Sequence, residues 1–142
     1  MIREVMLPEL QSRFPNRGMR AGESINQIGI FPAAHGEVGD LQIWDDGDEA
    51  TIYIGSITHG HFDSDDRTLA EANSARCISD EVVEFLELLF ADRVLIHKSR
   101  TDGSDGWEVF DSDDFSDARL NVTDRTYVWS GPIKNPKTND AG

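Results

Sequence analysis

The sequence predicts one α+β domain over residues 1–142, with an antiparallel sheet built from two hairpins and one principal helix packed on a face. Three stretches carry that prediction. "LQIW" and "ATIYIGSI" flank the turn "DDGDE", "RVLIHKS" and "WEVF" flank "RTDGSDG", and between the two pairs lies the helical run that follows Ser79.

In the first pair, Asp46-Gly47 supplies the positive backbone dihedrals that a tight turn needs, so residues 41–57 are expected to form an antiparallel hairpin. Strand alternation puts Leu41, Ile43, Ile52 and Ile54 on one face and Gln42, Thr51 and Tyr53 on the other. Ser79 is placed to cap the helix, Asp80 and Glu81 suit its positive end, and Val82, Val83, Phe85, Leu86, Leu89 and Phe90 recur at helical spacing. The second hairpin turns at Asp102-Gly103 or Asp105-Gly106.

The flanking segments are weaker. "REVMLPELQSRF" reads as a short helix around Val5, Leu7, Leu10 and Phe14, with Pro8 in its first turn. Residues 15–24 read as loop, and "INQIGIF" as a strand with Ile28 and Ile30 toward the core; "PAAHGEVGD" is a connector. A short helix is expected from Thr68 to Ala75, then, beyond the second hairpin, an acidic loop, a strand at Thr126–Trp129 and a frayed tail from about residue 133 to 142.

Charge narrows the function classes. The chain carries 27 acids against 13 bases, for a formal net charge of −14, and 20 of those acids with 5 of the bases fall in residues 41–118. Such a field repels nucleic-acid phosphates and anionic lipid, and attracts basic proteins or cations. The single cysteine, Cys77, excludes an internal disulfide and a multi-cysteine zinc site, and reads as a small packing residue. No apolar run suits a signal peptide or a bilayer span, so a cytoplasmic protein without a membrane partner is expected. A phosphate-binding loop, a dinucleotide fingerprint and a nucleophile elbow are all missing from the sequence. The "DSDD" and "DSDDFSD" runs lack the glycine and terminal glutamate of an EF-hand loop.

"THGHFD", residues 58–63, is the one stretch with catalytic chemistry. Its Thr58, His59, His61 and Asp63 resemble the start of the metallo-β-lactamase-fold signature, in which such a run after a strand supplies ligands to a zinc pair. Ser64 stands where the next histidine belongs, and His97 alone cannot provide both downstream ligands, so the resemblance does not extend to membership. A smaller mononuclear site would need His59 and His61 with Asp63 or His35. Against it, Gly60 reads as a turn or bulge and the histidines as an ordinary strand end, so no metal, cofactor or catalytic residue is assigned.

The expected functional surface is instead the helix face carrying Asp80, Glu81, Glu84 and Glu87, with no lysine or arginine among them. Like charges at this spacing cost only about 0.2–0.5 kcal/mol per pair, yet a rigid row of carboxylates complements a basic surface. The sequence therefore points to a small protein-binding module, an inhibitor or immunity-type protein that neutralises a basic enzyme. The alternatives are a metal-dependent enzyme using His59 and His61, or a structural or homo-oligomeric component without ligand.

Overall fold

The computed structural model describes residues 1–64, 68–112, 114–115, 118 and 124–133. Most of the expected tail, and part of the acidic loop before residue 124, lie outside the described residues. The elements run α1 (Ile2–Arg13), β1 (Arg20–Ala21), β2 (Gln27–Phe31), β3 (Leu41–Asp45), β4 (Glu49–Ile54), β5 (Thr58–Asp63), α2 (Glu71–Phe90), β6 (Val94–Lys98), β7 (Asp105–Val109), β8 (Arg125–Val128) and β9 (Gly131–Ile133). The α+β class and both hairpins are as expected. The strands, however, divide into two antiparallel sheets, ordered β1-β2-β3-β4-β5 and β7-β6-β8-β9.

The β3–β4 hairpin turns at Gly47, whose φ is 97°, and its register pairs Leu41 with Ile54 and Ile43 with Ile52. All four side chains are fully buried, which fixes the inner face of the first sheet. On β2 the strict alternation fails. Gln27 pairs with Trp44 while Gly29 pairs with Ile43, so an extra residue bulges at Ile28. The bulge turns Ile28 and Phe31 inward and leaves Ile30, expected in the core, half-buried on the other side.

Pro8 does not sit in the first turn of its helix: α1 begins at Ile2, so the proline falls in the second turn, on an exposed side. The loss of its N–H and the ring clash cost about 3 kcal/mol. Ile2, Met6 and Leu10 form a buried stripe at four-residue spacing, and each such side chain contributes about 1.5–3 kcal/mol on burial, which outweighs the proline. The helix start has no local side-chain cap. Asp45, at the end of β3, takes that role from a distance by accepting the Arg3 N–H at 3.1 Å.

Two expected helices are one. α2 runs unbroken from Glu71 to Phe90, with Ala70 as its N-cap, and Ser79 lies mid-helix on the buried stripe with Ala75, Ile78, Val82, Val83, Phe85, Leu86 and Leu89. Serine resembles a cap in sequence, but its propensity penalty of a few tenths of a kcal/mol is small beside a continuous apolar stripe. The Ser79 hydroxyl is left buried without a hydrogen-bond partner.

Aromatic side chains from α2 join the layers. Phe85 lies 5.4 Å from Phe62 of β5 and 4.7 Å from Trp107 of β7. Phe90 lies 5.3 Å from Phe14, 5.2 Å from Phe31 and 5.4 Å from Trp129. One contiguous core thus draws on both helices and both sheets. In the second hairpin the tip is Asp102-Gly103, with Gly103 at φ 74°, whereas Asp105 and Gly106 belong to β7. The Asp102 carboxylate accepts the Ser104 N–H at 2.9 Å, which holds its pKa below the ordinary value. Ile133, expected as the first residue of the tail, belongs to β9 and pairs with Thr126 of β8.

Replacing fully buried Leu86 with alanine is expected to cost about 2–5 kcal/mol in urea unfolding. Ser79→Ala should act in the opposite sense, raising stability by roughly 1 kcal/mol, because it removes a buried unpaired hydroxyl and improves helix propensity. A destabilised Ser79→Ala variant would show that the hydroxyl has a partner in solution.

Candidate functional site

"THGHFD" is neither a strand end nor a turn: all six residues form β5, paired along its length with β4. Thr58, Gly60 and Phe62 face inward, and alternation sends His59, His61 and Asp63 outward. Gly60 is required by packing. A Cβ there would run into the Trp107 indole ring of β7, so the close passage of the two sheets leaves room only for a hydrogen. Beside it, the Thr58 hydroxyl donates to Asp105 at 2.6 Å, a second tie from β5 to β7.

The outer face of the first sheet carries Gln42 and Trp44 from β3, Thr51 and Tyr53 from β4, and the two histidines. Gln42 Oε1 accepts from Gln27 Nε2 and from Trp44 Nε1, each at 3.2 Å, which orients the indole. Tyr53, 40 % exposed, stacks on His59 with ring centres 5.3 Å apart. A shallow pocket of about 390 Å³ opens among Gln42, Trp44, Asp46, Tyr53 and Gly55.

His61 gathers a different set. It lies opposite Thr51 in the register, and the Thr51 Oγ1 is 2.9 Å from His61 Nδ1 while donating to the Asp46 carboxylate. Glu49 Oε1 stands 3.4 Å from the same nitrogen. Asp46, Glu49 and His61 each offer a ligand atom, and these atoms lie within 4.8 Å of one another. Thr51 itself is buried, at 1 % exposure, although it sits on the outer face.

The structure therefore separates the residues considered from sequence. His59 and His61 are neighbours, with ring centres 5.5 Å apart, but His59 belongs to the Tyr53 stack and His61 to the carboxylates. Asp63 is at the far end of β5, opposite Glu49, where it helps line an acidic cleft of about 630 Å³ with Asp48, Glu49 and Glu71. His35 is elsewhere: its ring lies against Gly131 of β9, and its Nδ1 accepts the Glu37 N–H at 3.1 Å. His97 lies on β6, with its ring against Gly106. Asp46, Glu49 and Thr51 were not connected with the histidines from sequence. The signal was present, because "THGHFD" alternates small or apolar residues with polar ones and so reads as a third strand whose register would set Thr51 opposite His61.

On α2, Asp80, Glu81, Glu84 and Glu87 are all exposed, as expected. The face is less uniformly acidic than its own sequence suggests, because Arg13 of α1 reaches Glu87 at 3.7 Å and Glu9 at 3.5 Å. This stripe and the outer face of the first sheet look away from the core they share. No helix is long and apolar enough to cross a membrane among the described residues. Comparison of the chain with protein-family models, curated proteins and solved structures returned no match.

Gly60→Ala is expected to destabilise the fold by about 1–3 kcal/mol through overpacking against Trp107. Trimming Trp107 to leucine in the same chain should recover part of that loss. A double-mutant cycle in urea measures the coupling, and strictly additive effects would show that the two residues do not touch.

Proposed function

We propose that the protein is a binding module for a basic protein, and that it receives a lysine or arginine side chain of that partner on the outer face of its first sheet. The observation that carries this reading is the pocket walled by Trp44 and Tyr53 with Asp46 at its edge. Aromatic faces attract cations by about 0.5–2 kcal/mol, and a carboxylate at the rim supplies the complementary charge. The Gln42 bond to Trp44 and the His59 stack on Tyr53 hold both rings in place before a partner arrives, which lowers the ordering cost of association. Aromatic anchors surrounded by charged residues are also the usual anatomy of a protein interface.

The surplus of acids supports the choice of a basic partner and gives it a long-range field. Within this proposal Asp80, Glu81, Glu84 and Glu87 steer the encounter, and the sheet face supplies the anchor. An inhibitor or immunity-type protein that neutralises a basic enzyme in the cytoplasm is the specific role that such chemistry would serve. Steered association of this kind explains rapid capture without requiring a large apolar interface.

The test combines capture of the partner from native cell extract with stopped-flow association kinetics on the purified pair. The association rate is expected to fall steeply as salt rises past the point where the Debye length is about 8 Å. Replacing both Glu84 and Glu87 with glutamine should slow association while leaving dissociation unchanged. Tyr53→Ala should instead speed dissociation, with a loss of roughly tenfold or more in affinity. A partner whose affinity ignores Tyr53 and Trp44 would remove the sheet face from the interface, and one insensitive to salt would remove the charge argument altogether.

A further inference from the structure

We propose that Asp46, Glu49 and His61 form a site for one divalent first-row transition ion, zinc or manganese, at the tip of the β3–β4 hairpin. This inference does not rest on the partner reading above, although the two share Asp46. The three donors come from the turn, the start of β4 and the middle of β5, and their ligand atoms lie within 4.8 Å of one another. Bonds from such an ion to nitrogen and oxygen are about 2.0–2.2 Å, so donors around one ion stand about 3–4 Å apart. Glu49 Oε1 and His61 Nδ1 are already 3.4 Å apart, and the remaining adjustment falls to the exposed Asp46 side chain. One imidazole with two carboxylates suits zinc or manganese better than calcium, which favours all-oxygen cages, or copper(I), which favours sulfur.

Two further observations separate this group from a chance gathering of acids. The first is Thr51, which is buried and whose hydroxyl holds Asp46 and His61 at once. With that hydroxyl donating to Asp46, its oxygen is left to accept from a protonated Nδ1 of His61 in the ion-free site. On binding, Nδ1 gives up its proton to become the ligand. A neutral ring then carries its proton on Nε2, and an imidazolium releases one to solvent. Thr51 thus orders the His61 ring until the ion replaces its bond to Nδ1, and goes on holding the Asp46 carboxylate in the loaded site without being a ligand itself. The second observation is the charge around the group. Glu49 pairs across the strands with Asp63, a like-charge pairing that destabilises a sheet, and among the described residues no lysine or arginine forms an ion pair with Asp46 or Glu49. A cation at this point relieves that repulsion. Three protein ligands leave the remaining positions to water.

Untagged protein stripped with a chelator and titrated with zinc or with manganese by calorimetry tests the site. One ion per chain is expected, with affinity weakened tenfold or more by His61→Ala or Glu49→Gln, about 10–100-fold by Thr51→Val, and unchanged by His59→Ala. Pulsed electron paramagnetic resonance of the manganese form should show coupling to a ring nitrogen that disappears in His61→Ala. Circular dichroism of each variant controls for the fold. Absence of saturable binding by both ions overturns the proposal. So does binding that survives His61→Ala, or manganese without nitrogen coupling, since either would mean an ion held adventitiously by the carboxylates.

Discussion

The passage of the Trp107 ring across the backbone of Gly60 is the constraint on which the arrangement of the outer face depends. With Gly60 committed to the interior, strand alternation leaves no choice for its neighbours: His59 and His61 must point away from the core. A register slip of one residue would bury two imidazoles and expose Phe62. The same contact brings the two sheets together at β5 and β7, where the Thr58 bond to Asp105 adds a directional tie to the packing. A motif that looks like chemistry in the sequence is thus first a packing device, and the chemistry occupies the side that packing leaves open.

α2 supplies the second layer of that argument. Its buried stripe runs its full length, and Phe85 and Phe90 meet aromatic partners from both sheets. The helix packs against both sheets within one core. This explains why a mid-helix serine is kept in line at the expense of its hydrogen bond. The apolar burial contributed by neighbouring residues such as Val82, Val83 and Leu86 is several times the cost of one unpaired hydroxyl.

What could be read from the sequence was what depends on neighbours along the chain. The β3–β4 hairpin, the inward set Leu41, Ile43, Ile52 and Ile54, and the exposed acids on α2 follow from short-range periodicity and turn chemistry. What could not be read depends on contacts made at a distance. Ser79 resembles a cap until the residues before it are seen to continue the stripe, and Ile30 resembles a core residue until the bulge at Ile28 is placed against β3. Gly60 resembles a turn because its reason, Trp107, lies 47 positions further along. The Asp46, Glu49 and His61 group falls between these cases, since its members are brought together by a third strand whose alternation is visible but whose pairing partner had to be chosen.

The order of strands in the first sheet follows the order of the chain, each strand pairing with the next, whereas β8 returns to β6 only after the whole of residues 99–124. Chain entropy opposes closing a long connection more than a short turn, but the cost grows only with the logarithm of its length. The polar outer face is therefore written on one continuous piece of chain, from Gln42 to His61, and inherits its geometry from adjacent hairpins. Insertions between β7 and β8 would therefore add little closure cost, and would leave the spacing of those side chains untouched. Such a division lets one part of the chain drift in length and composition while another stays metrically fixed.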